Sequence, residues 1–333
     1  APGADQLTLV LCGAGFVAAY WTLQPLWMRP LMRRVMPDDR FGFAHTSSLA
    51  CLITGYAARP LGSREKHDTE RLKLPRQLSF FKDVNVSTAL IISVIMLAAV
   101  AFADDGVVRE AAAEMDEKLS PWVWALLVGL RFAGGIAILL FGVRMFLAEI
   151  VPAFKGLSDR VIPGTRPALD APTVFPVAPT AVMVGFVAST AVFLCCLGVF
   201  AGAGWFTLAP PMIMLFFVGG AAGLFGNVVA GWRGAVLGGA VTGLILAVGQ
   251  WVTWGLYERT APELATLADP DWYAIAWLLE AADPVLGDRS VWLVPAVALA
   301  ATVVTLVLLG RAEKRGAAGE GAAPEGGAAP AKT

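Results

Sequence analysis

Long apolar runs alternate with short charged stretches along most of the chain. A bilayer core about 30 Å thick needs roughly 20 apolar residues in a helix. Seven stretches have that character: Leu7–Met28, Val86–Ala103, Trp122–Val151, Val177–Gly204, Leu208–Ala230, Gly234–Gly255 and Val291–Gly310. The third is longer than a span needs and holds Gly134-Gly135 and charged residues, which predict an interruption. The fifth holds Pro210-Pro211 and several glycines, which predict a broken helix. An eighth apolar stretch, Phe41–Ala58, contains His45, Thr46, Ser47 and Ser48. The pattern predicts an all-α polytopic membrane protein with about six to eight transmembrane helices plus re-entrant or broken ones.

Charge between the runs orients them. Arg29–Arg40 holds four basic residues and Arg59–Lys82 seven, which places both on the cytoplasmic side by the positive-inside rule. Asp104–Lys118 and Tyr257–Arg289 are poor in Lys and Arg, which suits the outer side. Alternation then leaves the C-terminus in the cytoplasm. Phe41–Ala58 breaks the alternation, because both its flanks are basic. A single crossing cannot keep both ends inside, so a re-entrant or discontinuous helix is expected. Such backbone is tolerated at membrane depth only where protein or a water-filled cavity covers it, and broken helices near the midplane are where transporters place substrate.

Composition supports this class. Hydrophobic residues make up 57% of the 333 residues and charged residues 15%. Soluble domains average roughly 25% charged, so a soluble enzyme is disfavoured. A net charge of −1 gives no footprint for nucleic acid. The four cysteines have no ligand spacing, so neither a metal centre nor a disulfide framework is expected, and nothing calls for a cofactor. No signal peptide is visible. The chain opens on Ala1, which fits a processed start or a fragment. The Ala/Gly/Pro-rich segment Arg311–Thr333 is expected to be a disordered cytoplasmic tail.

Few polar residues could carry chemistry. His45 and Thr46 offer donors and acceptors at the expected helix break; the alternative is a histidine satisfied by a neighbouring carbonyl. Asp170 lies in the proline-stiffened Pro167–Pro179 and either lines a cavity or caps the following helix. Arg144 and Glu149, like Arg131, are charges inside an apolar run; a structural ion pair or snorkelling is the plainer reading. Asn227 is read first as a helix cap. Lys82-Asp83 and His67 are read as cytoplasmic surface. No catalytic triad or nucleotide fingerprint is visible.

Several motifs together resemble the membrane component, enzyme IIC, of ascorbate-type phosphoenolpyruvate-dependent phosphotransferase systems (PTS). They are Gly42-Phe-Ala-His-Thr-Ser-Ser48, Asp68-Thr-Glu-Arg-Leu-Lys-Leu-Pro75, Leu78-Ser-Phe-Phe-Lys-Asp-Val-Asn-Val-Ser87, and the run from Gly142 to Gly156. Pro167-Ala-Leu-Asp-Ala-Pro-Thr-Val-Phe-Pro-Val-Ala-Pro179, Gly220-Ala-Ala-Gly-Leu-Phe-Gly-Asn227 and Arg233-Gly-Ala235 complete the set. The resemblance covers roughly residues 10–310. It implies a helical permease lacking the family's N-terminal helices, homodimeric in the plasma membrane of a bacterium. It implies L-ascorbate or a similar sugar acid as ligand, with His45, Thr46 and Asp170 as contacts. It also implies a cytoplasmic enzyme IIB, with IIA upstream, as the phosphorylating partner, so no covalent catalysis falls on this chain. The sequence after Asn227, Val228-Val-Ala-Gly-Trp232, is less polar than the family's. Two rival readings stay open: a secondary transporter of the same ligand, and a non-transporting receptor or assembly subunit.

Overall fold

The computed structural model describes residues 5–39, 41–72, 83–163, 165–258 and 269–320. Among them, seven helices are long and apolar enough to cross a membrane, and the only strands are two residues each. The protein is therefore an all-α, multi-pass membrane protein. Two compact units make it up, Gln24–Trp277 and Ala1–Leu23 with Leu278–Thr333.

The second unit holds the first part of α1 (Gln6–Val35), the end of α11 (Pro270–Leu286), a 3-10 segment Gly287–Trp292, and α12 (Leu293–Glu320). Leu299, Val304 and Leu306 on α12 are exposed, as lipid-facing side chains are. The first ten residues expected to be disordered, 311–320, continue α12; residues 321–333 lie outside the described residues.

The larger unit is organised by a two-residue parallel ribbon and a packed triplet of helices. β1 (Gly42–Phe43) pairs in parallel with β2 (Ala168–Leu169), with Gly42 opposite Ala168 and Phe43 opposite Leu169. After β1 comes α2 (Ser48–Ala57), whose ten residues extend only about 15 Å. That is too short to cross a bilayer core of about 30 Å as one helix. The basic loop after it holds a 3-10 turn, α3 (Arg64–His67), and a second 3-10 turn, Thr69–Arg71. α4 (Val84–Phe102) packs on α6 (Pro121–Arg160), with α5 (Asp105–Ala113) between them in sequence. After β2, the short α7 (Ala171–Val174) leads to α8 (Pro179–Ala203). α9 (Met212–Ala230) and α10 (Trp232–Tyr257) follow.

Two expected interruptions are absent. α6 runs unbroken through Gly134-Gly135 and Pro152. Glycine costs a helix about 1 kcal/mol relative to alanine, but a broken backbone in lipid leaves groups unpaired at several kcal/mol each. Pro210-Pro211 delay the start of α9 rather than break it, and its glycines lie inside a continuous helix.

Those glycines let backbones touch. A methyl added at Gly223 would lie 2.6 Å from both Ala181 O and Gly185 Cα, and one added at Gly226 would strike the backbone of Gly234. Small residues at such crossings are how apolar helices associate where lipid removes the hydrophobic drive. Around this seam Phe175, Phe186, Phe216 and Phe225 form a buried aromatic core. Gly231 (φ +68°) turns α9 into α10 without a connecting loop, in a conformation L side chains rarely adopt.

Candidate functional site

The ribbon brings His45 and Asp170 together. Backbone hydrogen bonds from Gly42 N to Pro167 O and from Ala44 N to Leu169 O, both 2.9 Å, set the register. The chain leaves β1 through a turn closed by Ser48 N donating to His45 O at 2.9 Å. Gln24 of α1, fully buried, holds that turn: its Oε1 accepts from His45 N at 2.7 Å and lies 2.7 Å from Ser48 Oγ. Ser47 N–H donates to His45 Nδ1 at 3.2 Å, and Ser47 Oγ lies 2.7 Å from the same nitrogen. A backbone N–H can only donate, so Nδ1 accepts and the neutral ring carries its proton on Nε2. Phe43 stacks beside the imidazole.

His45 Nε2 faces Asp170 Oδ1 at 3.8 Å, beyond direct hydrogen-bond reach. Asp170 also does what the plainer reading expected. Its Oδ1 accepts from Ala171 N at 2.8 Å and caps α7. Its side chain is 63% exposed, so a free lone pair still meets solvent. Among the described residues, Ser47 contacts the ring at Nδ1 and the Asp170 carboxylate faces Nε2.

Thr46 turns to a residue the sequence reading did not single out. Its side chain hydrogen-bonds the Asp269 carboxylate. Asp269 Oδ1 is buried with no hydrogen-bond partner among the described residues. Burial pushes this carboxyl above the usual range; the Thr46 bond and His45 pull it down, the Asp170 charge pushes it up, and the net direction is upward. Two residues on, Asp271 accepts from Leu49 N at 2.8 Å and Ala50 N at 3.0 Å. It thereby satisfies the first turn of α2, which Ser47 does not cap. The available signal was Asp269-Pro270-Asp271 itself, a cap and first-turn pattern ahead of aromatic residues. For Gln24 it was an amide inside an apolar run.

Other expected residues stand apart. Arg144 and Glu149 are exposed on α6 and make no ion pair with each other among the described residues. Asn227 is fully buried and does not cap its own helix; it bonds the Asp68-Thr69 turn. Lys82 lies outside the described residues. Two overlapping cavities, about 430 and 340 Å³, share Asp39, Phe41 and Arg166, and neither is lined by His45, Thr46, Asp170 or Asp269. Asp39 is a hub there, with Oδ2 at 2.8 Å from Arg29, 2.8 Å from Arg33 and 2.6 Å from Arg166.

The site thus presents one imidazole N–H, one hydroxyl and two carboxyls on irregular backbone between membrane helices. This chemistry suits a hydroxylated ligand carried by a membrane permease. Comparison with known proteins gives the class. Residues 1–271 match the EIIC-GAT family, the PTS system sugar-specific permease component, and the chain belongs to that family. It is 26% identical over 271 residues to the ascorbate-specific PTS system EIIC component of Mycoplasma pneumoniae, across 72% of this chain and 40% of the relative. The chain spans less than half the length of that curated relative.

Proposed function

We propose that this chain carries the ligand-binding part of an ascorbate-type PTS permease. In this reading it binds L-ascorbate or a related sugar acid through His45, Thr46 and Asp170. The observation that carries it is the meeting of His45 and Asp170 across the β1–β2 register, with a 3.8 Å gap between Nε2 and Oδ1. His45 Nε2–H donates to a ligand oxygen, and Asp170 accepts from a ligand hydroxyl. The two face each other without closing a bond that the ligand would have to break. The permease sits in a bacterial inner membrane with its C-terminus in the cytoplasm. It works as a homodimer and presents the ligand to enzyme IIB, phosphorylated by IIA, at the basic face between Arg59 and Lys82. The chain contributes by orienting the ligand hydroxyl.

The test is equilibrium binding of labelled L-ascorbate to detergent-purified protein beside His45→Ala and Asp170→Ala. Each variant is expected to weaken binding about tenfold to a hundredfold, the loss of one hydrogen bond involving a charged group. Unchanged binding in both variants overturns the site; no binding by folded wild type overturns the ligand. Phosphorylated product in membranes supplied with phosphoenolpyruvate and the soluble PTS proteins supports the coupled step, and its absence removes that step.

A further inference from the structure

The carboxyls around the site differ in how they are satisfied. Asp170 is exposed and accepts Ala171 N–H, while Asp271 is buried but accepts two N–H groups of α2. Asp269 has the Thr46 bond, and its Oδ1 is buried with no donor among the described residues. A buried carboxylate oxygen facing no donor, with a second carboxylate acting on it, favours the protonated acid. The protonated acid is also the form an anionic ligand needs. Asp170, Asp269 and a ligand carboxylate or enolate would otherwise gather three negative charges beside a neutral imidazole. One proton on Asp269 removes one of those charges and converts an acceptor into a hydrogen-bond donor.

We propose that Asp269 is the protonatable carboxyl of this site: it takes a proton from water as an acidic sugar binds, and donates it to the ligand as a hydrogen bond. The inference rests on the ligand site proposed above and deepens it, because it makes ligand binding consume a proton. The titratable groups around Asp269 are His45 from the turn before α2, Asp170 from the start of α7, and Asp271 and Tyr273 from α11, with Tyr257 of α10 acting on Tyr273. The bound form is the protonated one, so affinity is highest at low pH and falls as pH rises through the Asp269 titration. The limiting slope for one linked proton is about tenfold per pH unit.

The experiment is calorimetric binding of L-ascorbate to the purified full chain across the neutral pH range, in buffers of different ionisation enthalpy. Wild type is expected to take up close to one proton per ligand on the alkaline side. Asp269→Asn keeps an N–H donor but cannot titrate, and its affinity is expected not to vary with pH. Zero uptake by wild type overturns the proposal, as does a slope that persists in Asp269→Asn, which would assign the proton to His45. If wild type binds no L-ascorbate, the ligand reading falls. Infrared difference titration of the ligand-free protein then decides the proton site. A carboxylic-acid band that titrates above the ordinary carboxylate range and is missing in Asp269→Asn supports it, and no such band overturns it.

Discussion

Asn227 Nδ2 donates to Asp68 Oδ1 at 2.9 Å while Asn227 Oδ1 accepts from Thr69 N at 3.0 Å, so one buried amide on α9 holds both ends of a polar turn. The same turn carries Glu70, which accepts from Ala181 N at 3.1 Å and Thr180 Oγ1 at 2.9 Å at the start of α8. Asp68-Thr69-Glu70 thereby links α9 to the start of α8. Replacing Asn227 by Leu keeps the branched side-chain skeleton and strands Asp68 and the Thr69 N–H. The expected cost is about 1–3 kcal/mol, read as a lower melting temperature in detergent, and unchanged melting would refute the role.

Acid should weaken the fold through two named groups. Burial alone would raise the Asp68 carboxyl, but the bonds from Asn227, Glu70 N–H and Arg64 outweigh it and hold it below the usual range. The Arg29 and Arg33 guanidiniums, with Arg166, hold Asp39 well below it. A carboxyl whose folded pKa is depressed stabilises the protein above its unfolded pKa and loses that contribution as pH falls through the folded value. Stability should therefore hold down to the ordinary carboxylate range and decline below it. Asp39→Asn should flatten the decline. A melting curve series against pH checks this, and an equal acid slope in the variant would count against it.

Asp39 also has a backbone role. Its φ of +53° is in the left-handed region, which Asp, Asn and Gly tolerate best. Asp39→Gly should lose only the ionic hub, whereas Asp39→Ala loses the hub and strains the turn. Ala is expected to be the less stable by about 1 kcal/mol, and chemical denaturation of the two variants checks the order.

The helix seam predicts opposite outcomes at different glycines. Gly223→Val pushes a side chain into the α8 backbone and should cost about 1–3 kcal/mol or abolish folding. Gly134→Ala points into open space and should be neutral or gain up to about 1 kcal/mol. Monodispersity in detergent after heating separates them.

Asp271 holds the first turn of α2, next to the proposed site. Asp271→Ala removes two hydrogen bonds to a charged acceptor and should destabilise by about 3 kcal/mol. It should also weaken L-ascorbate binding through His45, while Asp271→Asn restores part of both. Thermal melting beside ligand binding tests it, and normal binding in Asp271→Ala would exclude the positioning role.

The span pattern was legible because lipid punishes every unpaired backbone group, so apolar length nearly dictates a helix. His45 and Asp170 stood out as candidates because they are polar residues on proline- or turn-broken backbone inside apolar runs, and the ribbon brings the two together. Asp269, Asp271 and Gln24 were not singled out. Asp269 and Asp271 sit in an acidic segment whose charge reads as outer-side loop, and only the fold carries them to α2. The glycines misled in the other direction. Propensity argues for breaks at Gly134 and in Leu208–Ala230, whereas pairing every backbone group and packing helix on helix both favour continuous ones.

The two-residue ribbon has a consequence for release. The two strand exits that carry His45 and Asp170 are latched to each other by main-chain hydrogen bonds. A rotamer change of either side chain leaves that backbone register in place. In the binding reading proposed above, a ligand would leave with the two strands still paired.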